Sequence, residues 1–219
     1  QPDVIIHLAE QPSAPFSMID QEHNIYTQKN NVLGNLNLIH SMQRHSPKAH
    51  LIKLGTMGEY GYDPGLEIPE GFYETEFRGK KAKVPFPRLA GSWYHWTKVH
   101  DSNNIMFACK LWGIKSTDIM QGIVYGTKTD EMKNESHSTR FDMDEAFGTV
   151  INRFCAQAVI GHPLTVHGKG GQTRGFLSLN DSIQCISLLI DNPPKDGEYR
   201  VVNQFDQQFS IMKLAKMIQ

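Results

Sequence analysis

Short apolar segments alternate with longer amphipathic segments along most of the chain. Strands are predicted where the apolar runs are short and β-branched, at residues 4–8, 50–54, 115–119, 164–167 and 199–202. Helices are predicted where apolar residues recur every three or four positions, at residues 20–44, 92–112, 144–160, 181–190 and 209–219. Because strand and helix alternate, the pattern predicts an α/β fold with a doubly wound parallel sheet.

Two segments interrupt this alternation. Residues 62–91 are rich in proline, glycine and charge, and we predict an irregular excursion there. Residues 127–142 are polar and are expected to be mobile. Ligands of parallel α/β sheets bind beyond the carboxyl ends of the strands. The loops at residues 55–61 and 121–126 follow predicted strands and are therefore candidate binding loops.

Composition excludes several classes of protein. Of the 219 residues, 39% are hydrophobic and 21% are charged, as is usual for a globular protein. The net charge of −1 favours neither a nucleic-acid-binding nor a membrane-surface protein, so we expect neither partner. The 3 cysteines are widely spaced and form no disulfide or metal-binding motif, which indicates a reducing compartment and no metal site.

Tyr94 and Lys98 give the strongest chemical signal. They are four residues apart in a predicted helix, so their side chains share one face. A phenol has a reference pKa of about 10, and a nearby ammonium lowers it by favouring the phenolate. The pair can then supply a base for a sugar hydroxyl, which Thr56, at the end of a predicted strand, can hydrogen-bond. The spacing also arises by chance on exposed helix faces.

The order strand, Thr56, helix, Tyr94 and Lys98 resembles the extended short-chain dehydrogenase/reductase family of NAD-dependent epimerases and dehydratases. Residues 30–34 resemble its Asn-Val-x-Gly motif, and residues 166–174 resemble its nucleotide-diphosphate loop, although a plain turn is the alternative there. The resemblance implies a Rossmann-like fold and NAD as cofactor. It also implies a partial NAD-binding domain at residues 1–126 and a smaller, nucleotide-sugar-binding region at residues 127–219. The implied cofactor-binding residues are Leu8, Ala9, Glu10, Thr56, Tyr94, Lys98, Gln121 and Val124.

The glycine fingerprint of the family does not occur in these 219 residues. That fingerprint holds the dinucleotide pyrophosphate at a helix N-terminus. The loop at residues 168–175 fails the pattern because Thr173 stands where its third glycine is required. The chain begins with Gln1 inside the predicted fold and ends within a helical pattern, so we expect truncation at both ends. The missing part would contain the first strands, and this fragment alone would bind NAD poorly.

The loop after Thr56 narrows the choice within the family. In nucleotide-sugar 4,6-dehydratases it reads Thr-Asp-Glu, with Asp as the acid and Glu as the base at C5, whereas here Met57 and Gly58 follow Thr56. Residues 53–61 instead resemble the UDP-sulfoquinovose synthases of sulfolipid biosynthesis, as do residues 9–20, 26–32, 94–102, 161–166, 168–175 and 203–205. This resemblance implies conversion of UDP-glucose and sulfite to UDP-sulfoquinovose through 4-keto and glucose-5-ene intermediates. Pro12 departs from the pattern, which has Arg, and this puts affinity for phosphate or sulfite in question.

The same resemblance implies a role for each candidate site residue. Tyr94, Lys98 and Thr56 would act at C4, and Glu59 is the candidate base at C5. A capping or solvent-facing carboxylate is the alternative for Glu59, and His95 is interpreted as structural. The implied substrate-binding residues are Asn30, Met57, Gln121, Thr165, Val166, His167 and Arg174.

Two other functions stay open at this level. One is a UDP-sugar 4-epimerase or 4,6-dehydratase that works without sulfite. The other is a non-catalytic dinucleotide-binding regulator, although such proteins tend to lose the tyrosine or the lysine. Relatives often pair through a face that includes the Tyr94 helix, which implies a homodimer. Delivery of sulfite by a partner protein is left open, and either a bacterial cytoplasm or a plastid stroma fits.

Overall fold

The computed structural model describes residues 1–61 and 67–219. Its contacts divide the chain into two compact units. The first unit contains Gln1–Gln121 and Ser187–Asn203, and the second contains Gly122–Ile186 and Gln204–Gln219. Both units are discontinuous in sequence, because residues 187–203 return to the first unit, whereas the sequence predicts one boundary after residue 126.

A four-stranded sheet lies at the centre of the first unit. In hydrogen-bonded order, its strands are β1 (Val4–His7), β2 (His50–Thr56), β5 (Lys115–Gln121) and β8 (Tyr199–Gln204). β1 runs parallel to β2, and β2 runs parallel to β5, with Thr56 opposite Gln121 at their carboxyl ends. The predicted α/β fold with a parallel central sheet is therefore confirmed.

Helices of the first unit occupy the connections between these strands. They are α1 (Ala14–Ser17), α2 (Gln21–Gln28), α3 (Gly34–His45) and α4 (Trp93–Trp112). The Ser92 side chain caps α4 by accepting a hydrogen bond from the backbone N–H of His95. α4 ends at Gly113, whose φ of 70° lies in the left-handed region that glycine adopts without strain.

A π-helical turn at Lys29–Leu33 joins α2 to α3. The predicted helix at residues 20–44 is thus one continuous helical stretch with a change of register in its middle. Such turns hold an extra residue and occur often at functional sites. The turn contains Asn31, whose side chain is almost fully buried.

The predicted irregular excursion contains a β-hairpin formed by β3 (Phe72–Phe77) and β4 (Lys80–Pro85). Arg78 and Gly79 connect the strands and both have positive φ, at 51° and 74°. A two-residue connection with positive φ at both positions matches the twist of antiparallel strands. The part of the excursion at residues 62–66 lies outside the described residues.

The main core of the first unit lies between α3, α4 and the sheet. Its buried residues are Ile39, Met42, Ala49, Leu51, Ile105, Ala108, Cys109 and Ile114. A second cluster includes Tyr60, Phe86, Met120 and Val201. Removing such side chains from water gives most of the favourable free energy of folding. The second cluster also fixes the loop that follows β2.

The second unit contains a three-stranded sheet of β6 (Ile123–Tyr125), β7 (Thr173–Ser178) and β9 (Gln207–Ser210). β6 is parallel and β9 antiparallel to β7. Two helices, α5 (Val150–Val159) and α7 (Ile211–Ile218), pack together, while α6 (Leu179–Asp191) begins in this unit and ends in the first. The buried core residues are Phe154, Phe176, Ile211, Leu214 and Ala215.

Several predicted elements of the second unit differ from the structure. Residues 164–167 form no strand, because Leu164 and Val166 pack against the core while Thr165 bonds to Gln157. Residues 209 and 210, predicted as helix, belong to the strand Gln207–Ser210 instead, since this segment pairs with β7. Residues 123–125, predicted as loop, also pair with β7, and the helix predicted from residue 144 begins at residue 150. In the described part of the chain, no helix combines the length and apolar character needed to cross a bilayer.

Candidate active site

Tyr94 and Lys98 lie in the first two turns of α4, immediately after the Ser92 cap. Lys98 Nζ is 5.9 Å from the centre of the Tyr94 ring, so the predicted pair does share one face of the helix. Thr97, between them, turns to the other side, where its hydroxyl accepts a hydrogen bond from Asn31. The helix therefore directs Tyr94 and Lys98 together toward the sheet.

The ammonium of Lys98 is held by two oxygens from neighbouring strands. It donates to the backbone carbonyl of Leu54 at 2.6 Å. It also lies 2.7 Å from Oε2 of Glu10, in an ion pair whose side chains are 6% and 4% exposed. Leu54 is in β2, and Glu10 follows β1, so Lys98 fixes α4 to the carboxyl ends of both strands.

Thr56 ends β2 and starts a 3₁₀ turn at Met57–Glu59. Its hydroxyl oxygen accepts a hydrogen bond from the backbone N–H of Gly58 at 3.1 Å. Met57 packs against the cluster around Tyr60 and Phe86. Gln121, predicted to contact both cofactor and substrate, lies opposite Thr56 at the end of β5. These residues gather at the edge where ligands of parallel sheets bind.

Glu59 occupies a different environment from the one predicted. Its side chain is fully buried. Oε1 accepts from Lys53 at 3.1 Å, and Oε2 accepts from Arg88 at 2.8 Å and from Ser102 at 2.9 Å. A carboxylate with both oxygens bonded inside the protein is not placed to take a proton from a substrate. The geometry therefore does not support Glu59 as the base at C5. Glu59 is also not a capping or solvent-facing carboxylate, because it forms buried ion pairs with Lys53 and Arg88.

Lys53 is the centre of this buried ion-pair network. Its ammonium contacts Glu59, Ser102, the backbone carbonyl of Lys98 and, at 3.3 Å, Asp118. Burial by itself would lower the pKa of Lys53, but Asp118 and Glu59 outweigh burial and raise it. Burial would raise the pKa of Asp118, but Lys53 and Arg88 outweigh it and lower it. The network is therefore charged and joins β2, β5, α4 and the turn after Thr56.

The pKa of Tyr94 shifts in the direction opposite to the prediction. Burial raises it well above the usual range, and the carboxylate of Glu10 raises it further, while Lys53 opposes both. The sequence identifies Lys98, whose ammonium favours the phenolate, but it does not identify Glu10, which contacts Lys98 directly. Burial and the nearby carboxylates therefore favour the protonated form of Tyr94.

His95, interpreted from the sequence as structural, lies against the turn that follows Thr56. A Cβ atom built on Gly58 would lie 2.3 Å from Nε2 of His95, so the imidazole fills the space in which a side chain at position 58 would start. Nδ1 of the same ring is 2.9 Å from the Ser92 hydroxyl, which fixes its orientation. The glycine that replaces the dehydratase carboxylate is the signal that could have identified this contact.

Asn31, rather than Asn30, is the buried asparagine of the Asn-Val-x-Gly motif. Its amide accepts from the backbone N–H of Gln11 at 2.8 Å and donates to the Gln11 carbonyl at 3.1 Å. Asn30 is exposed and donates to Asn31. The structure therefore gives no support to the predicted substrate contact of Asn30. Asn31 instead holds the segment that follows β1, through its hydrogen bonds to Gln11. In that chain, Leu8 and Ala9 are exposed.

The remaining predicted residues belong to the second unit. Val124, in β6, lines a cleft of about 260 Å³ together with Arg140, Phe147 and Asn152. Thr165, Val166 and His167 lie in the irregular segment before the glycine-rich loop, and Arg174 lies in β7, where it donates to its neighbour's carbonyl. Thr165 and His167 are exposed, whereas Val166 packs against the core.

Known proteins resemble the chain over most of its length. The sequence profile described as the NAD dependent epimerase/dehydratase family matches residues 1–203. The whole chain is 52% identical to the chloroplastic UDP-sulfoquinovose synthase of Spinacia oleracea and covers 45% of that protein. It is 54% identical to the UDP-sulfoquinovose synthase of Sulfolobus acidocaldarius, again over the whole chain, and covers 56% of it. The chain thus spans about half the length of these curated relatives.

The fold also occurs among solved structures. UDP-glucuronic acid 4-epimerase from Bacillus cereus, in complex with UDP-glucuronic acid and NAD, matches with a TM-score of 0.74. That match covers 99% of this chain and 58% of the epimerase at 22% identity, so it bears on the fold alone. Together, the profile match and the parallel sheet show that the chain belongs to the NAD dependent epimerase/dehydratase family.

Proposed function

We propose that the protein containing this chain is a UDP-sulfoquinovose synthase, which converts UDP-glucose and sulfite to UDP-sulfoquinovose. The observation that carries the proposal is the turn after Thr56, where His95 fills the position of the missing side chain at Gly58 beside Tyr94 and Lys98. This arrangement places an imidazole where the related dehydratases are expected to have a carboxylate. Identity of 52–54% to two UDP-sulfoquinovose synthases supports the same assignment.

The residues present fit the nicotinamide-ribose end of NAD. Nε2 of Gln11, just beyond β1, is buried and has no hydrogen-bond partner in the described part of the chain. A buried amide donor is costly to leave unpaired, and a ribose or amide oxygen of a bound dinucleotide would satisfy it. Tyr94 and Lys98 lie at the same edge of the sheet and would border the ribose. NAD supplies the acceptor, and later the donor, of the C4 hydride.

The residues of α4 and β2 account for the chemistry at C4. Tyr94 takes the proton of the C4 hydroxyl, while Thr56 hydrogen-bonds the hydroxyl and orients it. Lys98 stabilises the phenolate form of Tyr94, which accepts this proton, since an ammonium favours the charged form of a nearby phenol. The same proton returns from Tyr94 to O4 when the carbonyl is reduced, so Tyr94 ends in its initial state.

His95 is the group we assign to the proton at C5. The 4-keto group acidifies C5–H, and a neutral imidazole can accept a proton near neutral pH. The C6 hydroxyl takes one proton from solvent and leaves as water, which gives the C5=C6 alkene. The sulfur of sulfite then forms a bond to C6, and His95 returns the proton to C5. Overall, UDP-glucose, sulfite and one proton give UDP-sulfoquinovose and water, with no net redox change.

The outer face of α2 and α4 supports assembly as a homodimer. Exposed apolar side chains recur along α4 at Trp93, Phe107 and Leu111. Tyr26 in α2 and Leu33 in the π-helical turn are exposed as well. A shallow cavity of about 300 Å³ lies on this face between Asn24, Gln28, Trp93, Trp96 and His100. Apolar surface of this kind is typical of an interface. Sulfite delivery by a partner protein, and residence in a cytoplasm or plastid stroma, are parts of the same proposal.

The decisive assay supplies the full-length protein with NAD, UDP-glucose and isotopically labelled sulfite. We expect labelled UDP-sulfoquinovose as the product. A keto-deoxy sugar nucleotide without label would indicate a 4,6-dehydratase, and a C4 epimer would indicate an epimerase. Binding of dinucleotide without any turnover would favour a regulator. Each of these three results contradicts the synthase assignment.

Tyr94→Phe tests the chemistry at C4. The variant keeps the ring but cannot take a proton, so turnover should fall by about 100-fold or more, while calorimetry shows nearly unchanged UDP-glucose binding. Tyr26→Phe, on the exposed surface of α2, is the matched control and should retain turnover. Retained turnover in Tyr94→Phe would remove this residue from the mechanism.

A further inference from the structure

The backbone N–H of Tyr94 is bound by a residue from outside α4. The first N–H groups of an α-helix have no acceptor within the helix itself. In α4, the Ser92 hydroxyl accepts the N–H of His95 at 3.2 Å. The N–H of Tyr94 donates instead to the hydroxyl oxygen of Ser17 at 3.0 Å, and this serine lies 77 positions earlier in the sequence. The start of the helix that carries Tyr94 is therefore capped by a second segment of the chain.

Ser17 is held so that its oxygen faces this N–H. It is the last residue of α1 and is fully buried. Its hydroxyl proton is donated to the backbone carbonyl of Ala14 at 2.7 Å, which leaves the oxygen to act as acceptor for Tyr94. Because the serine is buried, solvent competes weakly for this hydrogen bond. The direction of the hydroxyl is thus set by α1.

The carbonyl in front of Tyr94 is also bound. Gln28, in α2, donates from Nε2 to the backbone carbonyl of Trp93 at 3.3 Å. A peptide unit is planar, so hydrogen bonds at its carbonyl and at its N–H together fix the orientation of the plane. In the next peptide unit, the Tyr94 carbonyl accepts from the Thr97 hydroxyl at 2.7 Å. The planes on both sides of the Tyr94 Cα are thereby restrained, and they set the direction in which the phenol leaves the helix.

The segment that carries Ser17 also contacts Lys98. Glu10, in the same segment, lies 2.7 Å from Lys98 Nζ. Residues 10–17 therefore contact both members of the Tyr94–Lys98 pair, and Ser17 is the residue that contacts Tyr94.

We propose that Ser17 is a positioning residue for the reaction at C4, which directs the phenol of Tyr94 toward the substrate hydroxyl by fixing the peptide unit before it. The proposal rests on the proposed role of Tyr94 at C4. Reaction rates depend steeply on alignment, and a displacement of about 1 Å can lower a rate by about 100-fold. Ser17 acts through Tyr94 and has no chemical step of its own.

The first measurement is hydrogen exchange at the Tyr94 amide in the full-length protein, which needs no turnover. Ser17→Ala removes the acceptor, so this amide should exchange at least about 10-fold faster. Thr27→Val is the matched control, because Thr27 is also fully buried and its hydroxyl donates to the His23 carbonyl within α2. This control should leave exchange at Tyr94 unchanged. An unchanged rate in Ser17→Ala would overturn the proposal.

The second measurement compares kcat and KM, with UDP-glucose and with the same substrate deuterated at C4. In Ser17→Ala, kcat should fall by about 10-fold, while KM changes by less than about twofold. The deuterium isotope effect on kcat should be at least as large as in the parent, since hydride transfer is the step that is slowed. Thr27→Val should keep the kcat of the parent.

Two kinetic results would contradict the positioning role. One is a kcat in Ser17→Ala that stays within about twofold of the value for Thr27→Val. The other is a smaller isotope effect than in the parent, which would place the slow step elsewhere. If the product is an epimer or a dehydrated sugar nucleotide, the synthase assignment falls, but the same comparison made on that turnover still tests Ser17.

Ser17→Cys covers the case in which the space left by alanine prevents folding. The thiol fills nearly the same volume, but sulfur is a weak hydrogen-bond acceptor. Exchange at the Tyr94 amide should again be faster than in the parent, and kcat should again be lower with KM nearly unchanged. A Ser17→Cys variant that matches the parent in both measurements would exclude the hydroxyl of Ser17 as the positioning group.

Discussion

Gly58 and His95 determine the shape of the candidate site at the scale of single residues. The ring of His95 lies where a Cβ at position 58 would be, and the Ser92 hydroxyl prevents the ring from turning freely. Gly58 has no positive φ, so the backbone itself accepts any residue there. The requirement for glycine therefore comes from the imidazole alone.

Gly58→Ala should consequently destabilise the protein by about 1–3 kcal/mol, since the new methyl group forces the His95 ring out of place. In a His95→Ala background the same change should cost much less, because the obstacle has been removed. Urea denaturation of the four proteins in this double-mutant cycle measures both values. Equal costs in the two backgrounds would show that something other than His95 excludes a side chain at position 58.

The sequence identified the Tyr94–Lys98 pair because helix periodicity alone puts residues four apart on one face. It could not predict the burial of Glu59, which depends on Lys53, Arg88 and Ser102, and these residues are distant from one another in sequence. The upward shift of the Tyr94 pKa was missed for a similar reason. Its charged cause, Glu10, is brought to Lys98 by a parallel pairing of strands that no local pattern records.

At the scale of elements, two lysines cross between β2 and α4. Lys53 of β2 donates to the backbone carbonyl of Lys98 in α4, and Lys98 donates to the backbone carbonyl of Leu54 in β2. Each lysine is also paired with carboxylates. These two hydrogen bonds fix the position of α4 along the sheet, and with it the position of Tyr94. Asp101, one turn further along α4, is buried in the same layer without a hydrogen-bond partner among the described residues.

Asp101 should make stability depend on pH. Burial raises its pKa to about 7, although Lys53 opposes the shift. Between the pKa of the unfolded chain, about 4, and pH 7, the folded state holds the proton more tightly than the unfolded state. Stability is therefore lost as pH rises through this window. Asp101→Asn removes the titration, so its stability relative to the parent should increase by about 1–3 kcal/mol from pH 5 to pH 8.

Denaturation of parent and variant at pH 5 and pH 8 checks this dependence on Asp101. Asp3→Asn, at an exposed aspartate, is the matched control and should leave the pH dependence unchanged. A constant difference between Asp101→Asn and the parent at the two pH values would mean that Asp101 is already ionised in the folded protein at pH 5.

Most elements of the first unit could be predicted because its strands are short apolar runs and its helices are long. The second unit was harder, since its sheet has short strands that depend on pairing. Residues 123–125 and 207–210 are strands only because β7 lies between them. Residues 164–167 have the composition of a strand but are used to cover the core formed by Phe154 and Phe176.

At the scale of the whole molecule, the apolar residues on the outer face of α4 stay exposed in the part of the chain that the structure describes. Trp93 is 48% exposed, Phe107 is 62% exposed and Leu111 is 55% exposed. They recur at helical spacing, so they form one stripe along the helix that also holds Tyr94 and Lys98 on its inner face. If two subunits pack together through this stripe, dimer formation would make α4, and with it the candidate active site, more rigid.

We expect sedimentation analysis to find the full-length protein as a dimer, and Phe107→Glu as a monomer, because a charge in an apolar interface is costly to bury. Phe77→Glu places the same charge on the β3–β4 hairpin, where Phe77 is 72% exposed, and should leave the dimer intact. A monomeric parent, or a dimeric Phe107→Glu variant, would exclude this face as the interface.

The π-helical turn at Lys29–Leu33 holds one residue more than an α-helical turn requires. Deleting that residue would produce a more regular helix, but it would rotate Asn31 away from Gln11 by about 100°. A more regular helix at this point would therefore release the segment that carries Glu10. The irregular turn is thus required by the hydrogen bonds between Asn31 and the backbone of Gln11.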